Sequence, residues 1–226
     1  MVNNFSYPST LINALQDALS QDRLQSYLKA TGGDKTTALQ LYMWNTDLSA
    51  ALYKPLQGLE ITLRNAFHRE LSKTYGSDWY NQIPHVLTDI SNENIAKVIK
   101  EINKRGKTAT PPRVVAELSF GFWVSLLGYG RKGNDNYEMK LWRPALYKAF
   151  SNRPSRKFNR KSANKEFTHI KELRNRIAHH EPIIHKQDVL SEYYRILDGL
   201  SWLCKDTAVW VASNSNFIEV FNNKPF

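Results

Sequence analysis

The chain has 226 residues, of which 42% are hydrophobic and 12% aromatic, and this composition excludes an intrinsically disordered protein. A chain of this length buries roughly 70% of its unfolded surface, so a substantial core is expected. The formal net charge of +10 favours a polyanionic partner, and the single cysteine excludes an intrachain disulfide and a cysteine-based zinc site.

The sequence contains no pattern typical of a membrane or secreted protein. The longest apolar run, residues 118–129, is too short to span a bilayer and is interrupted by serine and glycine. The first eight residues lack the basic region and apolar core of a signal peptide. We therefore expect a cytoplasmic protein with no membrane partner.

Three helices are predicted in the first third of the chain. A short amphipathic pattern covers residues 9–19, and a second pattern follows over 20–33 and ends in two glycines. Asp34 then caps a much longer pattern, whose apolar residues keep three- and four-residue spacing up to Gly76. We expect one long central helix here, with a kink allowed at Pro55.

The middle of the chain predicts three further helices. The first covers about residues 92–104 and ends at Gly106. Thr110, followed by two prolines, begins the second, which covers 114–127 and is apolar on nearly all sides. Such a helix is normally buried, so its aromatic residues are predicted to form core rather than an RNA-stacking surface. A short helix that ends at Phe150 follows a polar loop.

The last third predicts three helices. The first has a buried stripe at helical spacing, formed by Phe167, Ile170, Leu173 and Ile177. Pro182 disfavours helical geometry in the residue before it, so this helix should end within residues 178–180. A second amphipathic helix is predicted over 188–203 and a short one over 207–212.

These elements predict an all-α fold. No segment shows sustained alternation of apolar and polar residues with turn signals, which would indicate strands. We interpret residues 1–226 as a single helical domain, with N-terminal helices at 9–76 and further helices at 110–212.

The positive charge is concentrated in one part of the chain. Residues 131–176 hold fourteen lysines and arginines and four acids, so the entire net charge falls there. The basic loop 153–161 is the best candidate for phosphate contacts, with one aromatic residue for base stacking. The alternative is a solvated loop that only keeps the protein soluble. The RNA-binding candidates are Arg153, Arg156, Lys157, Phe158, Arg160, Lys161, Lys171 and Arg176.

The segment 173–182 concentrates chemically useful side chains within three helical turns. On an ideal helix, at about 100° per residue, Arg174 and His179 point roughly 140° apart, and Arg174 and His180 roughly 120° apart. One straight helix therefore does not bring them together. Convergence requires either unwinding after Ala178 or a second copy of the motif that faces the first across a two-fold axis.

These side chains suit RNA cleavage without a metal. That reaction deprotonates a 2′-hydroxyl, protonates the leaving 5′-oxygen and stabilises the charge on the phosphorane-like transition state. Histidine suits the proton transfers and a guanidinium suits the phosphate oxygens. Asn175 could orient either group.

Residues Arg174-Asn175-Arg176-Ile177-Ala178-His179 resemble the Arg-Asn-x-x-x-His form of the HEPN nuclease motif. The wider pattern resembles the Abi-like (abortive infection, AbiD/AbiF type) bacterial proteins over about residues 20–205. The segments that carry this resemblance are Leu59-Glu60, Leu63-Arg64-Asn65, Glu117-Leu118-Ser119-Phe120-Gly121-Phe122-Trp123, Leu141-Trp142-Arg143 and residues 173–183.

The resemblance implies an all-helical HEPN-like bundle and a homodimer with a composite site. It also implies cofactor-free and metal-independent endoribonuclease activity in antiphage defence or as a toxin, sometimes restrained by a small non-coding RNA. Carried over residue by residue, Arg174, Asn175 and His179 are the catalytic candidates. His180 is a rival, since its spacing from Arg174 also falls within the permitted range.

Three alternatives remain open at this level. In a purely structural interpretation, Arg174 pairs with Glu172 or Glu181 and the histidines face solvent. A non-catalytic RNA-binding module would use the basic 131–176 surface, with the motif as a phosphate clamp. A metal cluster of His179, His180, Glu181 and His185 is disfavoured, because adjacent histidines project in different directions.

A second Leu-Arg-Asn tripeptide lies at residues 63–65, on the long central helix. A short match of this kind arises easily by chance, so it does not establish a repeat. We expect Arg64 to be a structural ion-pair or hydrogen-bond partner, with Glu60 one turn before it as a candidate. In the alternative interpretation, Arg64 or His68 belongs to the same site as Arg174.

Overall fold

A computed structural model describes residues 5–184 and 188–225. Within these ranges the chain contains helices and no strand, which confirms the predicted all-α class. The α-helices are α1 (Ser9–Leu19), α2 (Gln21–Ala30), α3 (Lys35–Tyr75), α4 (Trp79–Gln82), α5 (Asp89–Lys104), α6 (Pro111–Glu117), α7 (Phe120–Ser125), α8 (Arg160–Ala178), α9 (Val189–Leu203), α10 (Lys205–Ser213) and α11 (Phe217–Asn222).

Helix α3 is the central element, and it begins and ends where the sequence indicates. The Asp34 side chain accepts a hydrogen bond from the Thr37 N–H, and Gly76 ends the helix with φ +90°. The helix is continuous through the buried Pro55. It packs against α2, α7, α8, α9, α10 and α11, so the other helices are arranged around it.

The main core forms where α8 and α9 lie against α3. Leu59 and Leu63 of α3 are fully buried, as are Ile196 and Leu200 of α9. Gly199 allows this close packing, because a Cβ there would meet Ile170 of α8 at 3.4 Å. Each such apolar side chain contributes about 1.5–3 kcal/mol when it is removed from water. This packing places α8 against both α3 and α9 and buries Ile170 and Leu173, immediately before Arg174.

The prediction of one continuous helix over 114–127 is wrong, because two helices occupy the segment. Leu118 is extended (φ −69°, ψ 130°), and the Ser119 side chain caps α7 by accepting from the Phe122 N–H. A serine that bonds the backbone three residues ahead begins a new helix instead of continuing the old one. Phe122 and Trp123 are buried, which confirms that these aromatic residues form core.

The chain between α7 and α8 is made of short turns and short helical segments. Gly130 has φ +75°, and a Cβ there would lie 2.3 Å from the Tyr137 ring, so only glycine fits. A π-helical turn covers Glu138–Trp142, and the predicted helix before Phe150 is a single 3-10 turn, Leu146–Ala149.

The C-terminal helices follow the predicted order. Helix α10 extends the predicted 207–212 segment at both ends, and α11 lies in the tail from Asn214, which the sequence pattern leaves unassigned. Among the described residues, no helix combines the length and apolar character that crossing a membrane requires.

Candidate functional site

Helix α8 carries the motif, and its two ends are defined by side-chain and backbone caps. At the start, Asn159 and Ser162 form a reciprocal capping box. At the end, the Glu181 N–H donates to the Arg176 carbonyl (2.9 Å) and the His180 N–H donates to the Ile177 carbonyl (3.0 Å). This is the Schellman pattern, and the helix ends at Ala178, within the predicted range.

His180 occupies the position that glycine usually takes in this cap. Its φ is +56°, in the left-handed region that costs an L-residue about 1–2 kcal/mol. Such a conformation persists only where the surroundings hold it.

Three polar contacts hold the turn after α8. Arg23 of α2 donates to the His180 carbonyl at 2.7 Å, and Arg176 donates to the Pro182 carbonyl. The Asn45 side chain, buried in α3, accepts from the Ile183 N–H at 2.8 Å. Ile183 itself is buried. The turn that carries both histidines is therefore tied to α2, α3 and α8.

The motif side chains remain accessible. Arg174 lies at the edge of the α3–α8 contact, where its Nε is 3.9 Å from Glu60 Oε2, and 42% of its side chain is exposed. Asn175, His179 and His180 are exposed. Helix α8 is regular to Ala178 and ends there, and the turn that follows carries His180 at φ +56°. The ideal-helix angle of roughly 140° therefore describes Arg174 and His179, whereas the chain has left the helix at His180.

The structural interpretation of the motif named the wrong partners for Arg174. Within the described chain, its acidic neighbour is Glu60 of α3 rather than Glu172 or Glu181. Glu181 instead lies 3.7 Å from Arg176 Nη1. A single ion pair of 3.9 Å between partly exposed groups contributes at most about 1 kcal/mol, so Glu60 restrains the guanidinium without occupying it fully.

The second Leu-Arg-Asn segment lies on the same helix as Glu60, but its polar residues have structural contacts. Arg64 donates to the Asn65 side chain and to the Ala116 carbonyl, both at 3.3 Å. The Trp79 indole N–H donates to His68 Nδ1 at 3.2 Å. Burial lowers the pKa of His68. These contacts match the structural role expected for Arg64 and place His68 beside Trp79.

The basic segment separates into cations with protein partners and cations that face solvent. Arg131 pairs with Asp89 at 2.6 Å, and Arg143 with Glu138 at 3.3 Å. Seven further cations are exposed and have no acid within ion-pair distance in the described ranges: Lys132, Lys148, Arg153, Arg156, Lys157, Lys161 and Lys165. Five of them lie on the basic loop and the first turns of α8.

The prediction that Arg160 contacts RNA is wrong. Its side chain is buried, with 7% exposed, and donates to the carbonyls of Leu127 (2.7 Å) and Gly128 (2.5 Å) and to Glu138 (3.1 Å). A buried guanidinium with three protein acceptors joins the start of α8 to the end of α7. Arg160 is therefore a structural residue.

Two other RNA-binding candidates are also engaged inside the protein. Arg176 is 21% exposed in its side chain, donates to the Pro182 carbonyl and lies 3.7 Å from Glu181, so the turn already engages its guanidinium in part. Phe158 is half-buried and packs against Trp202 at a ring separation of 5.2 Å. Phe158 therefore anchors the basic loop on the hydrophobic core. Lys171 is half-buried beside the motif.

The described residues contain no group of three side chains that could hold a metal ion. His185, which the metal interpretation includes, lies outside the described residues.

The comparison with family models decides the family. The model described as Abi-like protein matches residues 2–185, which includes α1 to α8 and the motif. The chain belongs to the Abi-like family. Membership supports an abortive-infection-type role. No curated protein and no solved structure matches the chain.

Several residues that build this Abi-like site carry no local signal in the sequence. Arg23 and Asn45 are more than 130 residues from the turn that they hold, as the 138-residue separation of Asn45 and Ile183 shows. Glu60 was expected to pair with Arg64 by helical spacing, but the packing of α3 on α8 places it beside Arg174. Only the tertiary contacts identify these three.

Proposed function

We propose that this Abi-like protein is a metal-independent endoribonuclease that acts in abortive infection. The catalytic groups would be Arg174, Asn175 and His179, with His180 as the alternative imidazole. The observation that supports this most is an anchored yet exposed turn: the histidines face solvent, while the backbone at His180 is held by Arg23 in a strained conformation.

Each side chain has a defined chemical task in the proposal. An imidazole takes the proton of the 2′-hydroxyl, whose oxygen attacks the adjacent phosphorus, and the bond to the 5′-oxygen breaks as that oxygen receives a proton. The products carry a 2′,3′-cyclic phosphate and a 5′-hydroxyl. The Arg174 guanidinium stabilises the charge on the phosphate oxygens in the transition state. Glu60, 3.9 Å from Arg174 Nε, is a positioning residue that limits the guanidinium's rotamers.

The proposed active form is a homodimer. Arg174 and His179 diverge by roughly 140° on α8, and the helix is regular between them. A second copy related by a two-fold axis would place His179 of each chain opposite Arg174 of the other, because the same surface meets itself in such an interface. In this proposal the site is complete only in the dimer, so activity should depend on protein concentration.

The test is incubation of the purified protein with a mixed RNA in EDTA. Shortened products that end in 2′,3′-cyclic phosphate support the nuclease, and persistence of activity in EDTA supports the metal-independent reaction. A size measurement over a dilution series should show activity falling together with the dimer fraction. Intact RNA at protein concentrations where the dimer is fully formed would contradict the proposal.

A second candidate is a non-catalytic RNA-binding module. The seven exposed cations without acidic partners in residues 132–165 favour RNA binding by themselves, whether or not the motif is catalytic. In the same experiment, a gel shift without shortened products supports this candidate. A small non-coding RNA inhibitor would be compatible with either function, since it would use the same basic surface.

A further inference from the structure

Two adjoining clefts open along the α8–α9 contact, away from the α3 side where Arg174 lies. The first has a volume of about 500 Å³ and lies between the basic loop and both helices, with Lys157, Phe158 and Trp202 in its wall. The second, of about 600 Å³, continues along α8 past Lys165 as far as Glu172. Glu166 and Arg195 line both clefts, so together they form one trough that leads towards the motif.

Aromatic side chains form one wall of the first cleft, and they pack against the hydrophobic core. Trp202 packs edge-on against Phe158 at 5.2 Å, and Phe158 packs on the buried Phe150 at 5.2 Å. Tyr194 of α9 lines the same cleft and is 51% exposed. Aromatic side chains that are rigid on one side and open on the other are the surface on which bases of single-stranded nucleic acids stack.

The shared wall of the trough is polar and restrained by a charged network. Arg195 is ion-paired with Glu166 and lies 3.6 Å from Glu192. Glu192 is buried and also bonds His169 Nε2 at 2.8 Å. These contacts restrain the Arg195 guanidinium on the wall of the trough. Polar groups beside an aromatic wall suit the edge of a base.

Side chains of both charges line the first cleft. Glu166 and Asp198 repel a phosphate there, whereas Lys157 attracts one. Lys161 and Lys165 continue the exposed positive charge along α8. A bound nucleotide would therefore place its phosphate beside Lys157 and its base against the aromatic side chains. The strand could then follow α8 for roughly 25 Å to the histidines, about seven stacked nucleotides.

We infer that this trough binds single-stranded RNA, with one base stacked against Tyr194 and Trp202 and its phosphate on Lys157. The inference rests on the proposed function for the choice of RNA, and it adds an anchoring site distant from the cleavage motif. A dinucleotide is too short to occupy both sites.

The experiment measures binding separately from cleavage. The affinity of a fluorescein-labelled, twelve-nucleotide single-stranded RNA is determined by anisotropy in the His179→Ala background, so that the RNA stays intact. Tyr194→Ala should weaken binding about 5- to 100-fold, and Tyr194→Phe should retain it, because the stacking face is kept. The matched control is Tyr129→Ala, which removes another exposed tyrosine (61%) outside the trough and should leave affinity unchanged.

Cleavage is then compared in the otherwise wild-type chain with a dinucleotide and with the twelve-nucleotide RNA. Tyr194→Ala should reduce kcat/KM for the long RNA only. Equal affinity of Tyr194→Ala and Tyr129→Ala would overturn the inference while leaving the nuclease proposal intact. If RNA binding depends on Tyr194 but the wild type does not cleave RNA, the nuclease proposal is contradicted and the RNA-binding trough is supported. Absence of RNA binding by the wild type would overturn both.

Discussion

The two ends of α8 each present an arginine to a glutamate from another element, yet the two arginines have opposite roles. At the N-terminal end, Arg160 is 7% exposed and donates to Glu138 and to two carbonyls. Towards the C-terminal end, Arg174 is 42% exposed and 3.9 Å from Glu60. A guanidinium engaged by several acceptors in the interior stabilises the fold, whereas one restrained on a single side remains available to a ligand.

The backbone caps at the two ends of α8 also differ. The N-terminal cap of α8 is formed by Asn159 and Ser162 in unstrained geometry. The C-terminal cap places His180 at φ +56° and depends on contacts from α2 and α3. We therefore expect substitution of Arg160, at the start of α8, to reduce stability, and substitution of Arg174 or His179, near its end, to reduce activity.

The largest expected effect is on cleavage. Arg174→Ala and His179→Ala should each reduce kcat by about 100- to 1,000-fold or more, because each removes a group that acts only in the transition state. Their free energies of unfolding should change by no more than about 0.5 kcal/mol, since both side chains are on the surface. Cleavage assays and urea unfolding test these two expectations, and Lys97→Ala, at an exposed cation of α5, serves as the control. Retained cleavage in His179→Ala would transfer its role to His180.

The second expectation concerns the buried arginine. Arg160→Ala should lower the free energy of unfolding by about 3–5 kcal/mol, because Glu138 and two carbonyls lose their partner. Lys161→Ala, one residue further along, is the matched exposed control and should stay within about 0.5 kcal/mol of the wild type. Urea unfolding of both variants measures the difference. Similar stabilities for the two would remove the distinction between the ends of α8.

The third expectation concerns the exposed cations near the start of α8. Replacement of Arg153, Arg156, Lys157 and Lys161 by alanine should weaken RNA binding and flatten its dependence on salt, by about 0.7 in log–log slope for each phosphate that the protein no longer neutralises. Arg160 is left intact, so the fold is preserved. Anisotropy between about 50 and 200 mM salt gives the slope. An unchanged slope would mean that this loop is only solvated.

A smaller effect is expected at the strained cap. His180→Gly should raise the free energy of unfolding by up to about 1 kcal/mol, because glycine adopts positive φ without steric cost. The gain is limited because glycine also has a greater conformational entropy in the unfolded chain. Cleavage should persist in this variant if His179 is the catalytic imidazole. A more stable but inactive protein would instead assign catalysis to His180.

The smallest effect is a pH dependence in the core near α3. Burial lowers the pKa of His68 below its ordinary value of 6.5, so the unfolded chain binds the proton more tightly than the folded one. Stability should therefore be complete above about pH 6.5 and decrease as the pH falls further. His68→Gln should make the acid limb of the stability–pH curve shallower. A curve unchanged by His68→Gln would contradict this assignment.

Local patterns were reliable where neighbouring residues alone decide the structure. Asp34 and Gly76 bound α3, and Pro182 places the end of α8 within the predicted range. The prediction of a continuous helix over 114–127 failed because Ser119 caps a new helix within an apolar run, which periodicity does not reveal. Positive charge alone likewise could not distinguish Arg160 from Lys161, since both are cations at the start of the same helix.

The sequence by itself determined the all-α class, the extent of the long central helix, the location of the positive charge and the motif at 174–180. These features depend on residue spacing and helix caps, which are interactions between residues close together in the chain. Only the tertiary structure decided that Arg160 is buried, that Glu60 restrains Arg174, and that Arg23 and Asn45 hold the histidine turn. Those interactions join residues far apart in the chain, and burial and partner choice are set by how the helices pack.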